Sequence, residues 1–253
     1  MASPPVTVHG PGWARLRRAV VWDGLREALA GRPAGLAVVD AGGGTGGFAV
    51  PLAELGHHVT VVDPSPDSLA ALARRTAEHG VAGSVRAVQG DLSTLPALVP
   101  ASGADVVLCH SVLEVVDDPA EAMAAVAQVV RPGGLVSVLA ANRTAVVLAR
   151  ALAGHYAEAL AALRDPAGRW GPADGVVRRF DRAGLVELVE TAGLQVQTVH
   201  GVRVFADHLP HAGSSGAEPD PETATLLELE RLASVRAEFV DVATQFHLLG
   251  VRH

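Results

Sequence analysis

Three aspartates stand at the ends of short apolar runs, and five glycines cluster beside the first. Asp40 closes Leu36-Ala37-Val38-Val39, Asp63 closes the run 58–62, and Asp91 follows Gly90 after the run 85–89. Gly42, Gly43, Gly44, Gly46 and Gly47 come directly after Asp40-Ala41. A carboxylate at a strand end accepts hydrogen bonds from hydroxyl or amino groups. A glycine cluster lets the backbone approach a ligand more closely than a Cβ would permit. Such a set is suited to holding a polar, nucleotide-like ligand.

The elements that must position these groups follow from the pattern around them. The run 36–39 reads as a buried parallel strand that turns sharply into a helix over about 47–55. That helix points its unpaired N–H groups and positive dipole end back at the glycines. A strand at 58–62, a helix at 66–78 capped by Ser65, and strands at 85–89 and 104–109 follow. The helix 119–130 leads through Arg131-Pro132-Gly133-Gly134 into a strand at 135–140. Strands separated by helix-length segments imply a parallel sheet with right-handed crossovers. Beyond it the expected elements are a helix at 144–163, a helix at 181–192, a strand at 194–205, a helix at 222–236 and a strand at 244–251. Ahead of the first strand, 12–30 has apolar residues at helical spacing, one or two amphipathic helices.

The expectation is therefore an α/β, doubly wound, Rossmann-like fold with a mostly parallel seven-stranded sheet. It forms one domain over 1–253, with an N-terminal helical cap at 12–34 and substrate-side loops at 156–178 and 207–221. The chain has 253 residues, 49% of them hydrophobic, enough for a full core. No stretch of apolar residues is long enough for a membrane span, and the N-terminus lacks a secretory pattern. The single cysteine, Cys109, excludes an internal disulfide framework and fits a reducing cytoplasm, the expected location. A net charge of −7 argues against broad electrostatic attraction to nucleic acid. No metal cluster is expected.

Two glycine patterns overlap. Gly42-x-Gly44-x-x-Gly47, with Asp63 19 residues past Gly44, satisfies dinucleotide spacing and implies a nicotinamide-dependent oxidoreductase. Asp40-x-Gly42-x-Gly44-x-Gly46 satisfies a second pattern, that of the class I S-adenosylmethionine-dependent methyltransferases. Gly90-Asp91-Leu92, Cys109-His110-Ser111-Val112-Leu113-Glu114, Asp117-Asp118-Pro119 and Arg131-Pro132-Gly133-Gly134 favour the second, because each resembles the methyltransferase segment at its strand end. Nearly the whole chain resembles the tRNA 5-carboxymethoxyuridine methyltransferase family, which esterifies a wobble uridine's carboxylate. The matching pieces are Leu16-Arg17-Arg18-Ala19-Val20-Val21-Trp22, Val39 to Gly44, His110 with Val112-Leu113-Glu114, Gly201-Val202-Arg203-Val204-Phe205, and Leu226-Leu227-Glu228-Leu229-Glu230.

The resemblance implies S-adenosylmethionine as cofactor. Asp63-Pro64 would sit at the ribose, Gly90-Asp91-Leu92 at the adenine, and His110 beside the methionine moiety. Gly42, Gly43 and Gly44 would form the cradle, with Asp40 orienting loop amides or the ligand's ammonium and Arg17 clamping the methionine carboxylate. For the substrate the candidates are Arg203 and Asn142. Arg203 lies among apolar residues, where a guanidinium needs an acid partner or an anionic substrate. An ionised carboxylate acceptor needs no general base, so no catalytic residue is assigned.

Two departures from the family concern the acceptor. The family's lysine run near 163–170 is reduced to Arg164 and Arg169, and Val115 replaces a tryptophan. They leave a small-molecule acceptor beside tRNA as the expected partner. A nucleotide-binding module without catalysis is the remaining alternative. Arg178, Arg179 and Arg182 form the best basic patch, read as a solvated helix start. Leu226, Leu229 and Leu232 read as core packing.

Overall fold

The structure, a computed structural model, describes residues 11–208 and 221–253, with side chains from Arg18 onward. Seven strands form one sheet in the order β3-β2-β1-β4-β5-β7-β6. They are β1 (Ala37–Ala41), β2 (His58–Asp63), β3 (Val85–Gln89), β4 (Ala104–His110), β5 (Val130–Ala141), β6 (Leu194–Val202) and β7 (Gln245–Arg252). The first five are parallel, and β7 runs antiparallel between β5 and β6. The chain reverses its direction of winding between β1 and β4, and the crevice outside the carboxyl ends of those two strands is where such sheets bind ligands.

Alternation along the strands fills both faces. Val39, Ala41, Val62, Val107 and Cys109 bury against Met123 and Val126 of α5 (Pro119–Val129) and Leu185 of α8 (Arg182–Thr191). Val38, Val59, Val61, Val106 and Leu108 face the other way. They meet Leu25 of α1 (Pro11–Leu29), Leu52 of α2 (Ala49–Glu54) and Leu72 of α3 (Pro66–Glu78). Ser65 caps α3 by accepting the Ser68 N–H at 3.2 Å, and Asp118 caps α5 through Ala120 and Glu121.

Several expectations shift. The Arg131-Pro132-Gly133-Gly134 segment is part of β5, which starts at Val130, with an irregular register against β4. The helix expected at 144–163 is two, α6 (Arg143–Leu152) and α7 (Tyr156–Arg164), broken where Gly154 takes φ +79°. Residues 156–164 are thus helix, not loop. A short α4 (Leu95–Leu98) follows β3. The strand expected to reach 205 stops at Val202, because Arg203 is left-handed at φ +59°. The helix at 222–236 is α9 (Pro221–Ala233), followed after a break by α10 (Ala237–Val240). Leu229 and Leu232 of α9 are exposed and Glu230 is buried, so the leucine stripe is not the packed face. Most of the 207–221 loop lies outside the described residues. No helix among the described residues is long and apolar enough to cross a membrane.

Candidate active site

The glycine turn is built by backbone geometry that side chains would block. Gly42, Gly44 and Gly46 hold φ of +75°, +54° and +80°. A Cβ on Gly42 would lie 2.3 Å from Val112 Cγ2, and one on Gly46 would lie 2.4 Å from Leu72 Cδ1. On Gly44 the same position meets nothing nearer than Asp63 Oδ2 at 3.8 Å. That open face of the turn is the cradle.

Asp63 ties the cradle to β2. Its Oδ2 accepts the Gly44 N–H and its Oδ1 the Ser65 N–H, both at 2.9 Å. Asp40 sits beneath, 2% exposed, with no partner for Oδ2 among the described residues. Burial, then the charge of Asp63, pushes its carboxyl up to about 7. A buried acid with an orphaned oxygen beside a glycine turn suits a ligand ammonium.

At the next strand ends a cavity of about 380 Å³ is lined by Gly42, Pro64, Asp91, Leu92, Val112 and Val115 among others. The Asp91 carboxylate accepts from the Ser93 hydroxyl at 2.6 Å and from Thr94, and the Ser93 bond holds it below the usual carboxylate range. Gly90 is needed because a Cβ there would lie 2.4 Å from Leu98 Cδ1.

His110 does not line that cavity among the described residues. Its ring stands edge-on to Phe48, centroids 4.6 Å apart, and its Nε2 meets Ser137 Oγ at 2.8 Å. Ser137 Oγ in turn meets His247 Nε2 at 2.8 Å. Burial pushes the His110 imidazole down to about 3, so it is neutral. Arg17 lies on α1 with its side chain outside the described part. Its neighbour Arg18 brings Nη1 within 3.1 Å of the point a Gly47 Cβ would occupy, so α1 does descend on the glycine turn.

A second cavity, of about 400 Å³, opens beyond the first and shares Val115 with it. Ser111, Glu114, Asn142, Arg179, Arg203, Asp207 and Gln245 contribute its polar groups. Ser111 (φ +56°) and Arg203 are two of the three left-handed non-glycine residues among those described, and both line this cavity. Strain of that kind persists where surrounding contacts over-determine it, and it gathers at functional sites. Gln245 Nε2 donates to Ser111 Oγ at 3.1 Å, and Thr244 Oγ1 to the Arg203 carbonyl at 3.0 Å.

Not every expected substrate residue is available for that role. Arg203 pairs with Asp207 at 3.0 Å, the acid partner that burial required. The Asn142 amide is taken up by the fold: Nδ2 donates to the Asp241 and Ala243 carbonyls, and Oδ1 caps α6 at Thr144. Asn142 is a buried brace, with both Nδ2 donors taken up by the fold. The basic patch is paired within the chain. Arg178 Nη1 donates to the Val116 carbonyl at 2.7 Å, Arg179 grips Asp174 with both Nη atoms, and Arg182 pairs with Asp241. Arg178 thereby anchors the 113–117 segment that presents Val115.

The sequence assigns no role to Glu114 or Glu230, although both stand inside quoted motifs. Burial of an acid in an apolar frame is their only sequence signal. Glu114 is 5% exposed, accepts the Ala141 N–H through Oε1 at 2.8 Å, and has no partner for Oε2 among the described residues.

A family described as "Methyltransferase domain" matches residues 39–138. The tRNA 5-carboxymethoxyuridine methyltransferase of Escherichia coli (strain K12) is 32% identical over 207 residues, 80% of this chain and 76% of that protein. The chain belongs to the S-adenosylmethionine-dependent methyltransferases. A ubiquinone biosynthesis O-methyltransferase from Methylocella silvestris (strain DSM 15510 / CIP 108128 / LMG 27833 / NCIMB 13906 / BL2) is 38% identical over 131 residues, about half of each chain. The S-adenosylmethionine dependent methyltransferase structure from Mesorhizobium loti has the same fold, with TM-score 0.62 at 22% identity, covering 94% of this chain and 100% of that one. In the methyltransferase the open face at Gly44 and the orphaned oxygen of Asp40 fit the cofactor S-adenosylmethionine.

Proposed function

We propose that this methyltransferase O-methylates a carboxylate, and that its acceptor is the 5-carboxymethoxy group of a wobble uridine in tRNA. The observation that carries the reading is Arg203, held left-handed in the wall of the cavity that adjoins the cofactor crevice. A guanidinium has five N–H donors in a fork that matches a carboxylate, so it can take one beside Asp207. The similarity to the Escherichia coli enzyme over most of both chains supports the choice of acceptor.

In this reading Asp63 and Pro64 hold the ribose, Asp91 and Leu92 the adenine, and Asp40 the ammonium, with Gly42, Gly43 and Gly44 as the cradle. Arg17 takes the carboxylate end of the cofactor and His110 flanks its methionine part. Bound S-adenosylmethionine supplies an electrophilic methyl carbon. The chain's own residues contribute alignment and exclusion of water. Val115, between the two cavities, is the ridge across which acceptor and cofactor meet. The acceptor is ionised at neutral pH, so the chain need not remove a proton from it.

A small carboxylate or hydroxyl compound is the second reading. It is favoured by the pairing of Arg178, Arg179 and Arg182 within the chain, which leaves them less available to RNA phosphates. Labelled methyl incorporation into tRNA carrying unesterified 5-carboxymethoxyuridine, against a metabolite extract, separates the two. The first reading expects label in tRNA that mild alkali releases as methanol, the signature of an ester. Label confined to the extract would overturn it.

A further inference from the structure

We propose that Glu114 selects the acceptor: its Oε2, carrying a proton, donates a hydrogen bond to the acceptor carboxylate oxygen that is not methylated. The inference rests on the carboxylate-acceptor reading and names a second group that would enforce it.

Three observations lead there. Glu114 lines the same cavity as Arg203 and is 95% buried, being 5% exposed. Its Oε1 is fixed by the Ala141 N–H at the end of β5, so the carboxyl group is held in one place. Its Oε2 has no partner among the described residues, and a buried polar atom in that state is costly until a partner satisfies it.

The charges around it decide which form satisfies an anionic acceptor. Arg179 is held at 2.7 and 2.9 Å by Asp174, and Arg203 at 3.0 Å by Asp207. Each guanidinium therefore has its own acid, and neither forms an ion pair with Glu114. Cys109 on β4 and His208 after β6 are the other titratable groups near it. Burial, outweighing the Arg179 charge and the backbone N–H groups, moves the Glu114 carboxyl above its usual range. Ionised, it would repel a carboxylate acceptor. Protonated, it presents an O–H to that acceptor and supplies the missing partner at once.

The step balances without moving this proton. A carboxylate oxygen forms the bond to the methyl carbon, the carbon–sulfur bond breaks, and its electron pair stays on sulfur. The unmethylated oxygen becomes the ester carbonyl, still an acceptor for Oε2–H. A contact present before and after transfer affects binding more than the chemical step, so its loss belongs in KM.

The test uses tRNA carrying unesterified 5-carboxymethoxyuridine, with wild type, Glu114→Gln, Glu114→Ala and the volume-preserving Glu114→Met. Calorimetry with S-adenosylhomocysteine checks that each variant is folded. Glu114→Gln keeps a permanent N–H donor and is expected to retain kcat/KM within about threefold, while Ala and Met raise KM roughly tenfold or more with kcat nearly kept. Wild-type KM should rise as Glu114 ionises with increasing pH, and the Gln variant should not follow. A Gln variant as impaired as Ala, with the loss in kcat, would overturn the proposal, because the carboxylate would then be acting as a base. Unchanged kinetics in both Ala and Met would overturn it too, leaving Glu114 as a brace for Ala141. Failure of the carboxylate reading looks different, since wild type itself would then leave this tRNA unesterified.

Discussion

Glu230 pins the backbone that follows Arg203. From α9 its Oε2 accepts the Val204 N–H at 2.8 Å, and its Oε1 accepts those of Phe205 and Ala206 at 2.9 and 2.7 Å. The chain is thereby pinned immediately after the left-handed residue, and Thr244 fixes the Arg203 carbonyl from the other side. Glu230→Ala would orphan three N–H groups in the interior, a loss of about 2–4 kcal/mol of stability. Glu230→Gln, with one oxygen replaced by a donor, is expected to lose roughly half of that. Both variants should lower kcat/KM by at least about tenfold while S-adenosylhomocysteine affinity stays near wild type. Arg203→Ala should give the same kinetic pattern with a smaller stability change. Urea denaturation beside steady-state kinetics checks all three, and an Arg203→Ala enzyme with full turnover would remove Arg203 from the acceptor site.

Asp63 closes the glycine turn at Gly44, and in the proposed reading it also faces the cofactor ribose. Asp63→Ala removes a charge-assisted acceptor and frees the Gly44 and Ser65 N–H groups together. The expected loss of cofactor affinity is about 2–3 kcal/mol, roughly 30- to 150-fold. Asp63→Asn, which keeps one acceptor, should fall between. Titration calorimetry with S-adenosylhomocysteine measures this, and equal affinities would show that Asp63 serves the turn alone.

The cofactor side of the molecule was legible because its signals are local. Ser65 before Pro66 marks the start of α3, and both α3 and β3 run over the residues that capping and alternation indicate. The glycines of the turn mark themselves, since only backbone without a Cβ fits beside Val112 and Leu72. The acceptor side depends on contacts between distant segments. Gly201 to Phe205 looks like one continuing strand, and nothing local announces that Arg203 turns left-handed. That turn is fixed by Glu230 and Thr244, 27 and 41 positions further on. Leucine spacing on α9 points to the wrong face for the same reason: Glu230 faces inward because three amides wait there. Asn142 reads as a substrate residue and Arg178 as part of a solvated helix start because a polar side chain's partners, here backbone carbonyls across the fold, leave no trace in spacing.

Val115 offers a direct trial of the acceptor's size. It is 59% exposed, lines both cavities, and stands where the family that the sequence resembles carries tryptophan. Val115→Trp touches no buried contact, so stability should stay within about 0.5 kcal/mol. An indole there offers a face for a base to stack on, worth about 1–3 kcal/mol. With a modified uridine as acceptor, KM should fall roughly fivefold or more. With a small compound that fills the present opening, the same variant should raise KM instead. Kinetics on tRNA and on the preferred small acceptor, run side by side, give opposite signs for the two readings.

Asp40 makes a prediction about pH. Its carboxyl titrates at about 7 in the folded chain, far above the ordinary carboxylate range, so the folded state keeps a proton that the unfolded state releases. The sign follows from that: its contribution to stability is complete at low pH and is lost as pH rises towards and through about 7. His110 and His247, both lowered by burial, act in the opposite sense and cost stability as pH falls below the ordinary imidazole range. The Asp40 effect is therefore read as a difference. Asp40→Asn, which resembles the protonated acid, should match wild type below about pH 4, gain on it between about pH 4 and about pH 7, and level off above that. A cofactor ammonium reverses the preference, because it needs the ionised carboxylate. Binding of S-adenosylhomocysteine to wild type near about pH 6.5 should release a fraction of a proton, and the Asn variant should bind more weakly and release none from this group. Calorimetry in two buffers of different ionisation enthalpy reads that fraction directly, and equal proton release from both proteins would place the ammonium away from Asp40.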